Sequence, residues 1–220
     1  MPEPAAPRVV DRGRGPQSLR ELLARPGVVE RCELRSPFGL MAIHGGGLEQ
    51  MTDVIAAAAA ARADASCYAV LHPDDVAHHL SSLRYRPEES GSLAAFLDHV
   101  QVVVSIHGYG RKGSWTSILA GGRNRRLAAA IAAEASARLP DYEVVTELTR
   151  IPTELRGLSS RNPVNVPSAA GVQLELPPRV RGLSPLSPPP GADGLSPPTR
   201  ALIEVLADVA RRWTALPGSV

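Results

Sequence analysis

The sequence predicts an α/β protein, with a mostly parallel or mixed central sheet and helices on both faces. Three observations carry this. Short aliphatic, β-branched runs alternate with Ala-rich stretches, the pattern of strand–helix–strand units. The run from Val100 to Ile106 is apolar at nearly every position, as a strand buried on both faces must be. Histidines and a glutamate fall at or near strand ends, where open α/β sheets build their sites.

Each element has its own reason. Residues 1–16 hold four prolines and several arginines with little periodicity, and read as a disordered leader. Ser18-Leu19-Arg20-Glu21 is a capping box and predicts a short helix over 18–25. Val28 to Leu34 and Pro37 to Ile43 read as strands. Leu48 to Ala63 is almost continuous alanine and reads as a helix by propensity. Cys67 to Leu71 is a third strand. Residues 73–95 form a polar excursion marked by Pro73-Asp74, Pro87 and Ser90-Gly91-Ser92. Val100 to Ile106 is the fourth strand, Arg123 to Leu139 a second Ala-rich helix, and Tyr142 to Leu148 a fifth strand. A turn-rich loop at Asn162 to Ser168 precedes a sixth strand, Val172 to Leu176. The main domain thus spans 17–183. Residues 184–198 are Pro-rich and read as a linker. Within 199–220, Leu202, Ile203, Leu206, Val209 and Trp213 form one stripe, the mark of an amphipathic helix docked on the domain.

Composition narrows the class. A net charge of +2 over 220 residues, with no basic-aromatic stripe, argues against nucleic acid. No apolar stretch approaches the ~20 residues of a membrane span. The start of the chain lacks the apolar core of a secretory signal, so a cytoplasmic location is expected. Cys32 and Cys67 lie in strand-like surroundings and read as buried free thiols. Nearly all basic residues are arginine, which grips carboxylates bidentately as lysine cannot.

The chemistry concentrates at His44, Glu49, His107 and Glu175. His44 ends a strand and is followed by Gly45-Gly46-Gly47, which lets the backbone turn sharply. Glu49 then stands where its carboxylate can bend back toward His44; otherwise it complements the helix dipole. His107 repeats the arrangement, a strand, a histidine and then Gly108-Tyr109-Gly110. Two histidines and a glutamate with an open position make a catalytic zinc shell. Glu175 sits in the apolar run Val172 to Leu176. It is either a general base with a raised pKa or the partner of Arg179 or Arg181 in a buried ion pair. His78 and His79 are adjacent, so at most one aims at the site, and His72 and His99 read as structural or surface residues. Arg123 follows a double glycine and suits close approach to an anionic substrate; Arg84, Arg161 and Arg179 are weaker candidates.

Five segments occur together. They are Ala42-Ile43-His44-Gly45-Gly46-Gly47-Leu48-Glu49, His79-Leu80-Ser81-Ser82, Ser105-Ile106-His107-Gly108, Gly121-Gly122-Arg123-Asn124 and Gly171-Val172-Gln173-Leu174-Glu175-Leu176. In this order, over roughly 38–182, the chain resembles the poly-γ-glutamate hydrolase family. The resemblance implies a phosphorylase/hydrolase-like fold akin to zinc carboxypeptidases. It implies Zn2+ on His44, Glu49 and His107, with Glu175 as general base. His79, Tyr109, Arg123 and Asn124 are the substrate contacts expected with it. The implied reaction is hydrolysis of γ-glutamyl amides, in a small or oligomeric anionic substrate. Two other readings compete: a binding protein that keeps the metal pocket without turnover, and a serine esterase using His-Gly-Gly-Gly as oxyanion hole. The second fails for want of a Gly-x-Ser-x-Gly elbow.

Overall fold

In a computed structural model, residues 15–74 and 78–214 are described. Most of the expected leader, and the end of the expected terminal segment, lie outside these residues. The chain order is α1 (Leu19–Leu23), β1 (Val29–Glu33), β2 (Ser36–Gly46), α2 (Thr52–Ala63), β3 (Ala65–His72), α3 (Gly91–His99) and β4 (Val102–Gly108). Then follow β5 (Ser117–Ala120), α4 (Arg125–Arg138), β6 (Glu143–Val145), β7 (Gly171–Leu176) and α5 (Pro197–Thr214). The strands form one mixed sheet in the order β1-β3-β2-β4-β7-β5-β6. The central four, β3, β2, β4 and β7, are parallel, while β1 and β5 pair antiparallel to β3 and β7.

Alternation along the central strands divides the core. Leu40, Ala42, Val104, Ile106, Val172 and Leu174 face α2, α4 and α5. Met41, Ile43 and Val103 face the other way, toward Leu19 and Leu22 of α1 and Leu93 and Phe96 of α3. The helices therefore cover both faces, as the sequence pattern predicts. None of them is long and apolar enough to cross a membrane, among the described residues.

Several elements depart from the sequence reading. Helix α2 begins at Thr52 and not at Leu48. The Glu49 N–H donates to the His44 carbonyl at 2.8 Å, and Met51 takes a left-handed φ of 75°, so residues 47–51 form a turn before the helix. Helix α3 was concealed by Ser90-Gly91-Ser92, which reads as a turn. Ser90 is in fact its N-cap, with the hydroxyl accepting from the Leu93 N–H at 3.1 Å. The short strand β5 carries too few residues to show a period. The fifth expected strand contracts to three residues at the sheet edge. The capping box of α1 holds, since Ser18 Oγ accepts from the Glu21 N–H.

The segment 184–198 is largely exposed and is tied to the domain at a few points. Ser187 Oγ donates to the Arg179 carbonyl, Leu195 is buried, and Thr199 Oγ1 donates to the Val180 carbonyl at 2.9 Å. Proline restricts the backbone without supplying donors, and here it shapes a packed connection. Helix α5 then buries Leu202, Ile203, Val205, Leu206, Val209 and Trp213 in the same core as α2 and α4. Leu206 is almost fully buried in that core. Leu206→Ala should cost about 2–5 kcal/mol of stability. Urea unfolding should show a lower midpoint; an unchanged midpoint would mean that α5 contributes little to the fold.

Candidate active site

The site lies at the carboxyl ends of β2, β4 and β7. Two features of the backbone bring its side chains together. First, β2 carries a bulge. Ala42 pairs with Ala69, but Gly45 pairs with Leu71, so β2 holds one residue more than β3 over this stretch. Strict alternation would send His44 to the α2 face with Ala42. The extra residue leaves it beside Ile43's neighbours instead, against Leu80 and Tyr85. Second, the glycines after His44 let the chain fold onto β3. Gly46 has φ of 66°, and a Cβ there would lie 2.3 Å from the His72 carbonyl oxygen. The turn that follows returns Glu49 to His44.

The Glu49 carboxylate has three polar neighbours. Oε1 meets His44 Nδ1 at 2.8 Å; Oε2 meets the Gly108 N–H at 2.9 Å and His107 Nδ1 at 3.3 Å. Potential ligand atoms of His44, Glu49 and His107 all lie within 4.8 Å of one another. Each imidazole is held from its far side. His44 Nε2 donates to the Leu80 carbonyl at 2.9 Å, and His107 Nε2 meets Ser105 Oγ at 3.0 Å. A carbonyl can only accept, so the His44 proton sits on Nε2 and the Nδ1 lone pair is the one available to a metal. This is the outer hydrogen bond that metal-binding histidines ordinarily make. The donor set therefore fits a divalent metal of the zinc type.

Glu175 is the direct partner of His107 across the parallel β4–β7 pair. It is 4 % exposed. Gln173 Nε2 donates to its Oε1 at 2.9 Å, leaving Oε2 without a protein donor among the described residues. The expected alternative, an ion pair with Arg179 or Arg181, is not formed there. Arg181 donates to the Gln50 carbonyl at 2.9 Å, its guanidinium packed where a Gly108 Cβ would stand.

The two carboxyls are pushed in opposite directions. Burial raises the Glu175 pKa, reinforced by Glu49 and only partly countered by His107 and the Gln173 hydrogen bond. Burial also acts on Glu49, but the charges and hydrogen bonds of His107 and His44 outweigh it and hold its carboxyl far below the ordinary range. His107 mirrors this: burial opposes its charge, yet Glu49 and Glu175 raise its pKa. His72 lies near His44, with ring centroids 6.2 Å apart. Burial lowers it to about 4.

The expected substrate contacts divide. The His79 ring lies 5.1 Å from that of His44, at the mouth of the cluster. Tyr109 does not offer its hydroxyl, which donates to the Ser114 and Ser117 carbonyls. Asn124 is hydrogen-bonded within the fold. Its Oδ1 caps α4 through the Leu127 N–H, and its Nδ2 donates to the Ala169 carbonyl. Its own N–H bonds the carbonyl of Gly171, the first residue of β7. Glu175 is four residues further along, about 13 Å at strand rise. Arg123 is adjacent to Asn124, and its N–H donates to Asn165 Oδ1 at 3.0 Å. Gly121 and Gly122 serve close backbone packing, against the Arg156 and Gly171 carbonyls. His99 is a surface residue bonded to the Arg35 carbonyl.

Ser105, Gln173 and the Leu80 carbonyl were missed from sequence. Ser105 and Gln173 are themselves partners in register, two residues before His107 and Glu175 on the same face. The available signal was a polar residue two positions before each functional one in an otherwise apolar strand.

Fold and site together define a class: a mixed α/β sheet with a His–Glu–His cluster and a buried glutamate at its parallel strand ends. The profile of the poly-gamma-glutamate hydrolase family matches residues 18–183, and the chain belongs to that family. Membership places it among amide-bond hydrolases. The fold is shared with a bacteriophage poly-gamma-glutamate hydrolase at TM-score 0.70 and 17% identity, over 86% of this chain and 91% of that one. It is shared with the zinc-free form of YndL at 0.67 and 21%, over 90% and 96%. An N-acetylmuramoyl-L-alanine amidase from Clostridium difficile 630 aligns at 0.50 and 14%, over 84% and 100%. No curated protein matches the sequence.

The opposed shifts have a measurable consequence in metal-free protein. The raised His107 pKa contributes stability that is complete below the ordinary value of 6.5 and is lost as pH rises through the folded value. The lowered Glu49 pKa contributes above the ordinary 4.5 and is lost as pH falls through its folded value. His72, neutral when folded, costs stability as pH falls from 6.5 toward 4. NMR titration should find one imidazole above 6.5 and one near 4, with Glu49→Gln lowering the former. Histidines that all titrate together near 6.5 would contradict the site's electrostatics.

Proposed function

We propose that the protein is a zinc-dependent hydrolase of γ-glutamyl or closely related amides. Zn2+ would be held by His44, Glu49 and His107, and Glu175 would act as general base. One observation carries the reading: the three ligand groups converge within 4.8 Å while Glu175 is the strand partner of His107. The family description supplies the γ-glutamyl amide. YndL is described in a zinc-free form, which agrees with zinc as the metal here.

Bound zinc supplies Lewis-acid polarisation of the scissile carbonyl and a water acidified toward ~7. The remaining work falls to the chain. Glu175 takes a proton at its free Oε2 and returns it to the leaving amine. Burial keeps its pKa above the ordinary carboxyl range, which brings proton affinity closer to that needed near neutral pH. Gln173 holds Oε1 and so fixes the direction of Oε2. Ser105 and the Leu80 carbonyl orient the two imidazoles. His79 stands where it can contact a substrate entering beside His44. Cys32 and Cys67 are free and half-buried, and burial pushes the Cys67 thiol up to about 12, which keeps it unreactive.

Elemental analysis should find about one zinc per chain in wild type and almost none in His44→Ala. Near-zero metal in both would overturn the ligand assignment. Ser105→Ala should bind zinc about 10–100-fold more weakly, because His107 loses its outer partner.

Glu175→Gln should retain zinc and fold but lose about 10²–10⁴-fold in turnover of a γ-glutamyl amide. Loss of zinc from that variant would make Glu175 a ligand. Near-normal turnover would remove it as the base.

A further inference from the structure

His44 points into the site because β2 is irregular, and that irregularity has a support of its own. The register passes from Ala42–Ala69 to Gly45–Leu71, so Ile43 and His44 share the space opposite Val70. On its other side, β2 pairs with β4 only as far as Met41. Ile43 and His44 thus fall outside both ladders. A bulge disrupts the ladder locally, and a buried carbonyl left without a donor is costly. Ile43 is fully buried.

Two side chains reach the Ile43 carbonyl oxygen. Tyr85 donates its hydroxyl at 2.7 Å, while His72 Nε2 stands further off at 3.4 Å. Tyr85 is 1 % exposed and belongs to the same apolar cluster as Met41, Ile43 and Leu80. Its ring meets that of His44 edge-on, with centroids 5.9 Å apart. A tight turn delivers it: the N–H groups of Arg84 and Tyr85 bond the carbonyls of Ser81 and Ser82 at 2.8 and 3.2 Å. That turn starts directly after Leu80, whose carbonyl accepts the His44 Nε2–H at 2.9 Å. Residues 80–85 therefore hold His44 at two points. Leu80 takes the far side of the imidazole, and Tyr85 takes the peptide that leads into the residue.

The Ile43 carbonyl and the His44 N–H share one rigid peptide plane. Fixing the oxygen fixes the plane from which the His44 side chain departs. We propose that Tyr85 is a positioning residue for His44: its hydroxyl locks the bulge peptide, keeps Nδ1 aimed at Glu49, and so sets the metal affinity of the site. The inference rests on the zinc reading of the His44–Glu49–His107 cluster and adds a residue to it. Tyr85 is neither ligand nor substrate contact, because its hydroxyl is buried and committed to Ile43.

Tyr85 also fills the core, so the two roles must be separated. Tyr85→Phe removes the hydroxyl and keeps the ring. Leu93→Ala supplies the comparison, since Leu93 is an apolar residue of α3 fully buried in the same cluster. Both variants and wild type are studied as full-length protein. In the metal-free state, NMR follows the His44 Nε2–H resonance, assigned by its absence from His44→Ala. Chelator competition measures zinc affinity, and a thermal melt measures stability. In Tyr85→Phe the Nε2 proton should exchange about tenfold faster, as local protection is lost. Zinc should bind about tenfold more weakly, the low end of what outer partners of metal-binding histidines contribute. Leu93→Ala should melt lower than Tyr85→Phe, because it leaves a cavity, yet keep wild-type exchange and zinc affinity. In wild type, the Tyr85 hydroxyl proton should itself be visible and slow to exchange. A freely exchanging hydroxyl would overturn the role without recourse to any variant. Wild-type Nε2 exchange or wild-type zinc affinity in Tyr85→Phe would overturn it too. Matching losses in Leu93→Ala would do the same, since affinity would then merely follow stability. Wild-type protein that holds no zinc would remove the zinc reading instead, and the exchange comparison would then decide whether Tyr85 holds His44.

Discussion

Glu49 carries a carboxylate that three groups from two strand ends must meet: His44 at the end of β2, and His107 and the Gly108 N–H at the end of β4. Removing such a charge from water costs several kcal/mol unless donors replace the lost hydration. That requirement organises the local backbone. The bulge in β2 aims His44, the glycine run returns the chain, and the turn at 47–51 delays α2 until Thr52. Each looks irregular alone. Together they place two imidazoles and a peptide N–H around one carboxylate.

The same arrangement separates the chemistry of two nearby acids. Glu49 is surrounded by imidazoles and a peptide N–H, so its charged form is favoured. Glu175 faces one amide donor in an apolar strand, so its neutral form gains. Two carboxyls with pKa values driven apart is the pattern by which one site assigns a permanent anion and a proton acceptor. The division does not depend on residue type, since both are glutamates. It depends on the rung and the turn that each occupies. Ser105 and Gln173, two residues earlier on their strands, extend the logic by bonding one side of each neighbour.

Much of this was legible in the sequence because it follows from local pattern. Apolar runs marked the four central parallel strands, and strand–His–glycine turns marked two points where they end. Parallel neighbours then had to bring His44 and His107 together. What escaped depended on tertiary partners. Ser90 reads equally as a turn residue or an N-cap until Leu93 is seen to pack against the sheet. The four residues of β5 have no period of their own and are a strand only because β7 pairs with them. Gly121-Gly122-Arg123-Asn124 has the composition of a ligand loop, yet its backbone N–H groups bond Gln173 and Gly171 of β7, the Arg156 carbonyl and the Asn165 side chain. Spacing cannot report which end of a strand a loop will reach.

The family match ends at residue 183, whereas the packing of this chain does not. A line of contacts runs from the last helix back to the site. Thr199, in the first turn of α5, donates to the carbonyl of Val180 and is itself bonded to Ser196. Val180 is buried against the α5 cluster. Its neighbour Arg181 donates to the carbonyl of Gln50, next to Glu49, and packs under Gly108, whose N–H binds the Glu49 carboxylate. Arg181 is also buried at 8 % exposure, with Nε unpartnered, a desolvated cation tolerated near Glu49 and Glu175. The links are hydrogen bonds, one close packing contact and the peptide that joins Val180 to Arg181. The C-terminal helix is therefore part of what holds the Glu49 turn, although nothing in its own sequence carries site chemistry.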